Sequence, residues 1–242
     1  MTTWALVPAR GGSKSIPHKN LAVLAGFPLL DYGVRAAQAS GRFDRIVCST
    51  DDPQIANRAS VLAIEVDHRP QRLAADETPV AEVACEWLGR VGVPDLLVLV
   101  QPTSPFLTPD HVRALLDNMA ADEEAHSGQT VARCPHNHHA WNQREVKDKR
   151  VTFRFAAERS RAYNKQTKPE FHVFGNLVGV RGSALMAEQT FFVNPSLAVE
   201  IPAPYDFDLD RQEDLVVAEA LITTGAVNLP HMDGLAGAQM RA

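Results

Sequence analysis

Near its start the chain reads TWALVPARGGSKSIPHKN (residues 3–20), in which a short β-prone run meets a loop of glycine, serine and basic residues. Glycine lets backbone N–H groups turn toward an anion, while arginine offers a planar fork and lysine a point charge to phosphate oxygens. A polar loop directly after an apolar strand is typical of the ligand-binding edge of an α/β sheet. We therefore predict a phosphate-binding loop in which Arg10, Lys14 and Lys19 hold the anion.

This loop differs from two widely used phosphate-binding motifs. It lacks the GxxxxGK[ST] spacing of a P-loop and the GxGxxG of a dinucleotide-binding fold. A solvated basic loop is the simpler interpretation, but the position after the first strand and the two prolines, Pro8 and Pro17, favour phosphate binding. A triphosphate carries about four negative charges, which three cations and a bound metal ion would roughly neutralise.

Short apolar runs alternate with amphipathic segments along the rest of the chain. The predicted strands are residues 3–7, 45–49, 63–66, 95–100, 171–180 and 197–201, and the predicted helices are residues 29–39, 53–62, 80–90, 109–119 and 214–223. This alternation indicates an α/β fold with a mostly parallel sheet and helices on both faces. Polar segments follow several of the strands, at 10–20, 50–52 and 101–104, so we expect them to meet along one edge of the sheet.

The composition predicts one globular domain. The chain has 242 residues, of which 45% are hydrophobic and 22% are charged, and its formal net charge is −5. This charge argues against nucleic-acid or anionic-membrane partners, and no apolar run is long enough to cross a bilayer. Scattered cysteines without a CxxC pair, and an N-terminal stretch broken by Pro8 and Arg10, predict a cytoplasmic protein. We interpret residues 1–242 as a single domain with a polar inserted arm at about 122–170.

Aspartates alternate with apolar residues in DFDLD (206–210). In an extended chain every second side chain lies on the same face, so Asp206, Asp208 and Asp210 would repel one another unless a cation is bound. Mg²⁺ typically binds one or two carboxylates together with phosphate oxygens and waters. We predict a magnesium site on Asp208 and Asp210; an exposed acidic strand edge is the simpler alternative.

Five motifs occur in a characteristic order along the chain. They are VPARGGSKSIPHKN (7–20), CSTDD (48–52), HRPQRLAAD (68–76), LVQPTSPF (99–106) and DFDLDRQEDL (206–215). Together they resemble the signature motifs of the acylneuraminate cytidylyltransferases, the CMP-sialic acid synthetase family, and the resemblance extends over residues 4–222. It implies a nucleotide-diphospho-sugar transferase fold, transfer of CMP from CTP to a nine-carbon sugar acid with Mg²⁺ as cofactor, and a homodimer joined through the arm.

The resemblance also assigns roles to the matching residues. It implies a catalytic set of Arg10, Lys14, Lys19, Asp208 and Asp210; nucleotide contacts from Ala9, Arg10, Gly11, Ser13, Lys14, Lys19, Asn20 and Arg69; sugar contacts from Gln101, Thr103, Ser104, Gln166, Phe191 and Phe192; and Mg²⁺ ligands at Asp208 and Asp210. Tyr163 and Lys165 stand with Gln166 near the place where the family carries an Arg-Gln pair, and Lys165 replaces that arginine.

The acceptor stays open, because the segment FGNLV (174–178) departs from the family's sugar-binding pattern and Leu107 replaces a common arginine. N-acetylneuraminic, legionaminic and pseudaminic acids all fit the sequence. The alternatives are a cytidylyltransferase for a Kdo-type eight-carbon ulosonic acid or a sugar phosphate, and a non-catalytic nucleotide-binding protein on the same fold.

Overall fold

The computed structural model of the protein describes residues 1–162 and 164–233. Tyr163, which the sequence places near the sugar, and residues 234–242 of the predicted domain lie outside the described residues. The strands are Thr3–Pro8 (β1), Val23–Leu24 (β2), Phe27–Pro28 (β3), Arg45–Thr50 (β4), Glu65–His68 (β5), Leu96–Leu99 (β6), Ser127–Arg133 (β7), Arg144–Lys147 (β8), Arg150–Phe153 (β9), His172–Arg181 (β10) and Ser196–Glu200 (β11). The α-helices are Leu29–Ser40 (α1), Pro53–Val61 (α2), Val80–Val91 (α3), Pro109–Ala121 (α4), Ala156–Arg161 (α5), Gly182–Glu188 (α6) and Gln212–Thr223 (α7).

A seven-stranded sheet forms the centre of the molecule, in the order β11-β7-β10-β6-β1-β4-β5. β1 lies parallel to β4 and β6, β4 lies parallel to β5, and β11 lies parallel to β7. Only β10 runs antiparallel to its neighbours within this sheet, to β6 on one side and β7 on the other. The predicted α/β class with a mostly parallel sheet is confirmed, and the six strands predicted from apolar runs and the five predicted helices each lie within two residues of their predicted bounds.

Helices cover both faces of the sheet, as predicted. On one face, α1, α2 and α4 pack against the sheet through residues such as Leu30, Val34, Ile55 and Leu115. On the opposite face, Trp87 and Leu88 of α3 and Leu185 of α6 pack against Leu97 and Leu99. The strands of the sheet's centre are therefore buried on both sides, which explains why β6 is apolar at every position. Within the described residues, no helix combines the length and the apolar character that crossing a bilayer requires.

Two helices begin at the carboxyl edge of the sheet because a side chain caps each of them. Asp52 accepts hydrogen bonds from the N–H groups of Gln54 and Ile55 at 2.7 and 3.0 Å, directly after β4. Thr108 accepts a hydrogen bond from the N–H group of His111 at 3.3 Å and so begins α4. These caps satisfy backbone groups that a helix start leaves free, and they fix where the chain turns away from the sheet.

The polar arm begins later than the sequence predicts. Ser127–Arg133 forms β7, which lies inside the main sheet between β10 and β11. The predicted start near residue 122 is therefore wrong, and in the described part of the chain the excursion from the sheet covers residues 134–162 and 164–171. β7 contains glycine, serine, glutamine and threonine. The helix above it comes close at the glycine, where a Cβ on Gly128 would lie 3.0 Å from atoms of both Leu115 and Met119. Such a strand lacks the large apolar side chains that identify the others.

Candidate active site

A cavity of about 540 Å³ opens at the carboxyl edge of the sheet, where the chain leaves β1, β5 and β6. Its wall includes most of the site residues that the sequence predicts: Arg10, Ser13, Lys14, Lys19, Asn20, Arg69, Gln101, Thr103 and Asp210. Cavities of this size accept ligands of about nucleotide dimensions. The topology thus brings together side chains that lie up to 200 positions apart in the chain, as expected for the edge where parallel strands end.

The predicted phosphate-binding loop (residues 10–20) is held at the end of β4 by hydrogen bonds from backbone N–H groups. The N–H group of Ala9 donates to the carbonyl of Ser49 at 3.0 Å, and the N–H group of Gly11 donates to the Asp51 carboxylate at 2.9 Å. Asn20 closes the loop, because its side-chain amide donates to the carbonyl of Arg10 at 2.9 Å. Ala9 and Gly11 thus act through the shape of the loop, while Asn20 both holds the loop and faces the cavity.

Gly11 is required by close packing. A Cβ at this position would lie 2.6 Å from Oδ2 and 2.8 Å from Cβ of Asp52, the residue that caps α2. Gly12, by contrast, has open space where its Cβ would be. The first glycine of the pair therefore allows the loop to approach the helix start, and the second does not have this steric role.

Lys19 connects the loop to the aspartate-rich segment near the C-terminal helix. Its Nζ donates to the carbonyl of Leu209 at 2.6 Å and lies 3.1 Å from Oδ1 of Asp210. The Lys19 side chain is only 13% exposed, so its ammonium group is held in the cavity wall. This contact places one cation of the loop directly beside the carboxylate predicted to bind a metal.

Asp76 completes the cluster and was given no role by sequence reasoning. Its carboxylate forms ion pairs with both Arg10 and Lys14. The hydrogen bonds from Lys14 and Arg10 hold the pKa of Asp76 below its usual range. In the sequence, only the position of Asp76 at the end of the motif HRPQRLAAD indicated a role for it, and the role assigned to that motif was a nucleotide contact from Arg69.

Arg69 forms the deep part of the wall and is buried. Its Nη2 donates to the carbonyl of Ser49 at 2.8 Å, and its Nε lies 3.3 Å from the Ser49 hydroxyl. The Ser49 hydroxyl donates to the Asp67 carboxylate at 2.8 Å. The same carboxylate accepts a hydrogen bond from Arg90 at 2.7 Å. Burial lowers the pKa of Arg69 from its ordinary value, but an arginine starting so far above neutrality stays charged. The guanidinium is thus held in one orientation at the edge of the cavity.

The aspartate-rich segment is not the strand that the sequence predicts. Asp206 ends a turn at 203–206, and residues 207–210 pair with no strand, so the row of three carboxylates on one strand face is wrong. Instead, the N–H group of Leu209 donates to the carbonyl of Thr103 at 2.8 Å, and the N–H groups of Asp210 and Arg211 donate to Asp214 at 2.9 and 2.7 Å. Asp214 therefore shapes the start of α7, and Asp210 alone of the three aspartates reaches the cavity wall.

Asp208 lies next to this wall with an unfavourable electrostatic environment. Although part of the residue is exposed, surrounding protein atoms reduce the hydration of its carboxylate and raise its pKa. A hydrogen bond with Thr103 and the charge of Lys19 oppose this shift, while Asp210 and Asp214 add to it. A nearby cation would relieve this excess of negative charge. In the described part of the chain no three His, Cys, Asp or Glu side chains form a metal-binding group, so a metal on Asp208 and Asp210 would also need phosphate oxygens.

Four of the predicted sugar-binding residues do not line the cavity. Ser104 is buried in the turn after β6, and Phe191 is buried in the core beside α3 and α6. Phe192 is exposed and packs edge-on against Phe174 at a ring distance of 6.0 Å, while Gln166 is exposed within the arm. Ser104 and Phe191 are buried and do not line the cavity, so the direct sugar contacts predicted for them stay predictions without support from the cavity's shape. Gln101 and Thr103 are the two predicted sugar-binding residues that face the cavity.

A buried polar network anchors the chain just before the aspartate-rich segment. The side-chain amide of Asn176 donates to the carbonyl of Tyr205 at 2.9 Å and to Nδ1 of His111 at 3.0 Å. The Thr130 hydroxyl donates to the side-chain Oδ1 of Asn176 at 3.1 Å and accepts from the backbone N–H group of Asn176 at 2.8 Å. Burial lowers the pKa of His111 to about 4, so its imidazole is neutral at neutral pH and one of its two ring nitrogens is an acceptor. The segment FGNLV, which departs from the family pattern, thus contacts the chain at Tyr205, directly before the aspartate-rich segment.

The fold and the cavity define an α/β protein whose sheet edge gathers cations and carboxylates around one ligand-sized space. The family model of the cytidylyltransferases matches residues 4–182, and the chain therefore belongs to that family.

Individual relatives agree with this assignment. The chain is 28% identical over 214 residues to an N-acylneuraminate cytidylyltransferase of Escherichia coli, covering 88% of this chain and 50% of the relative. It is 38% identical over 118 residues to a CMP-N,N'-diacetyllegionaminic acid synthase of Legionella pneumophila, covering 47% of this chain and 51% of the relative. The chain thus spans about half the length of these two curated relatives.

The solved structure of a CMP:2-keto-3-deoxy-manno-octonic acid synthetase in complex with CTP has the same fold. It superimposes with a TM-score of 0.69 over 93% of this chain and 100% of that chain, at 16% sequence identity. This likeness supports the predicted nucleotidyltransferase architecture and, at such low identity, concerns the fold alone.

Proposed function

We propose that this protein transfers CMP from CTP to the anomeric hydroxyl of a sialic-acid-like nine-carbon 2-keto sugar acid and releases pyrophosphate. One observation carries the proposal: Arg10, Lys14 and Lys19 line a single cavity together with Asp210. A site that combines several cations with a carboxylate beside them suits a polyphosphate bound with a metal ion. The names of the relatives favour CTP as the nucleotide and a sialic-acid-like sugar as the acceptor.

The reaction would be an in-line displacement at the α-phosphorus of CTP. The anomeric oxygen forms the new P–O bond, the bond to the β-phosphate oxygen breaks, and pyrophosphate leaves with that electron pair. The hydroxyl proton passes to solvent or to a base that no described residue clearly supplies. Charge spreads over phosphate oxygens in the transition state, so the main task of the protein is to orient the reactants and stabilise negative charge.

Different residues of the cavity would bind the phosphates and orient the acceptor. Arg10 and Lys14 lie on the exposed side of the loop and would hold the β- and γ-phosphates, whose charge grows as pyrophosphate leaves. Lys19, fixed between Leu209 and Asp210, would stabilise the phosphate nearest the acidic segment. Gln101 and Thr103 face the same space from the end of β6 and would orient the acceptor.

Asp208 and Asp210 are the residues that would hold Mg²⁺. They fit a hard cation because they supply two carboxylates, one facing the cavity and one with a raised pKa that reflects poor hydration and neighbouring negative charge. When bound, the ion would supply Lewis-acid stabilisation of phosphate oxygens. Thr103 would orient Asp208 through the hydrogen bond between them.

The acceptor is tested by measuring pyrophosphate release from CTP and Mg²⁺ with nine-carbon and eight-carbon 2-keto sugar acids and with sugar phosphates, and with ATP, GTP and UTP as controls. We expect release with CTP and with one nine-carbon acid. Release only with an eight-carbon acid or a sugar phosphate would support the alternative acceptors. Nucleotide binding without release for any acceptor would favour a non-catalytic binding protein.

We further propose a cytoplasmic homodimer joined through the arm at 134–171. The hairpin β8–β9 in this arm exposes Val146 and Val151, apolar side chains that a second copy would cover. Cys48, Cys85 and Cys134 are free thiols, which supports a reducing compartment. Light scattering coupled to gel filtration should give twice the mass of one chain, and a Val146→Glu/Val151→Glu variant should shift to the monomer. A wild-type monomer at micromolar concentration would contradict the dimer.

A further inference from the structure

The carboxylate of Asp76 pairs with the same two cations that the proposed function assigns to the triphosphate. It contacts Nη1 of Arg10 and Nζ of Lys14, while Asp210 contacts Lys19. The three cations of the loop, Arg10, Lys14 and Lys19, thus face two carboxylates, which leaves this cluster a net charge of +1, and the buried Arg69 adds a fourth cation to the cavity wall. A triphosphate with about four negative charges, or a pyrophosphate with about three, would meet a loop whose charge is already largely neutralised.

We propose that Asp76 is an internal competitor for the phosphate-binding cations, which lowers the affinity of the cavity for polyphosphate and so promotes release of the pyrophosphate product. The inference rests on the proposed function for the identity of the anions. Asp76 itself does not touch the reacting atoms in this role. It acts by occupying donors of Arg10 and Lys14 and by its own negative charge.

The geometry of the two cations allows this exchange. Lys14 is 84% exposed, so its flexible side chain can leave Asp76 and meet a phosphate without any change in the backbone. Arg10 uses a terminal nitrogen for Asp76, and a bidentate contact with phosphate needs the same fork of donors. A carboxylate oxygen and a phosphate oxygen would therefore compete for the same N–H groups.

The fold does not depend on these ion pairs. Asp76 lies at the mouth of the cavity, and ion pairs between partly exposed side chains add little to folding stability. Replacing the carboxylate by an amide of the same size should therefore leave the structure intact. It would raise the net charge of this cluster to +2 and remove the ionic attraction that holds both cations, so we expect polyphosphate to bind about three- to tenfold more tightly.

The test compares Asp76→Asn with Glu77→Gln by calorimetric titration of inorganic pyrophosphate and of metal-free CTP. Glu77→Gln is the matched control, because it makes the same change in net charge one position away on an exposed residue outside the cavity wall. The inference predicts three- to tenfold tighter binding of both anions by Asp76→Asn, no such change in Glu77→Gln, and equal unfolding midpoints for all three proteins.

Weaker binding by Asp76→Asn would overturn the inference, since it would mean that Asp76 orients Arg10 and Lys14 for the anion. An equal gain in both variants would also overturn it, because net charge alone would then explain the effect. If wild type binds CTP and Asp76→Asn binds it equally well, the inference fails while the proposed function stands. If neither protein binds CTP or pyrophosphate, both fail.

Discussion

An Asp210→Asn variant should release pyrophosphate at least about a hundredfold more slowly than wild type, while it still binds CTP. Asparagine keeps the size of the side chain and can still accept the hydrogen bond from Lys19, which lies 3.1 Å from Oδ1 in the wild type. The change removes the negative charge that would help to hold the metal ion and that pairs with Lys19. The rate under saturating CTP, acceptor and Mg²⁺ is the measurement, with CTP affinity determined separately.

Asp206→Asn is the matched control for this experiment. Asp206 belongs to the same segment, but it ends a turn and does not line the cavity. It should therefore keep a rate within a few-fold of wild type. An unchanged rate in Asp210→Asn, or equal losses in the two variants, would show that Asp210 has no specific part in the reaction.

A Gly11→Ala variant should bind CTP at least about tenfold more weakly and should unfold more readily by about 1–3 kcal/mol. The added Cβ would lie 2.6 Å from Oδ2 of Asp52, so either the loop or the cap of α2 must move. Movement of the loop would also disturb the hydrogen bond from the Gly11 N–H group to Asp51. Loss of a helix cap alone costs about 1 kcal/mol.

Gly12→Ala separates this steric effect from a general effect of substituting loop glycines. A Cβ on Gly12 meets no protein atom within 4 Å, so this variant should keep the stability of wild type. CTP titration and urea unfolding of both variants are the measurements. Equal losses at the two positions would mean that contact with Asp52 does not decide the geometry of the loop.

The sequence predicts the sheet and its ligand edge well because the central strands are buried on both faces. β6 is apolar along its whole length and the inner positions of β1 and β4 are apolar as well, and the polar residues that follow these strands must then face solvent or ligand. The positions of Arg10, Lys19, Arg69 and Thr103 at one cavity follow from that rule alone. By contrast, β7 packs its glycine against α4, so its composition resembles that of a loop.

Contacts between distant segments could not be predicted from local patterns. The pairing of Asp76 with Arg10 and Lys14 depends on how the chain after β5 folds back over the phosphate loop. Likewise, Phe191 and Ser104 match family motifs, but the packing of α6 and the turn after β6 buries both side chains. The aspartate alternation indicated a strand, yet the hydrogen bonds to Thr103 and Asp214 give the segment a different course. Motif spacing therefore identifies the residues that line the site more readily than it identifies the atoms that their side chains contact.

The most direct test of the proposed reaction follows the phosphorus atoms themselves. Phosphorus-31 NMR of the protein with CTP, Mg²⁺ and a nine-carbon 2-keto sugar acid should show the three CTP signals replaced by one phosphodiester signal and by pyrophosphate, in equal amounts. A spectrum in which CTP persists beside a panel of such acids, although CTP binds to the protein, would contradict CMP transfer to a sialic-acid-like sugar.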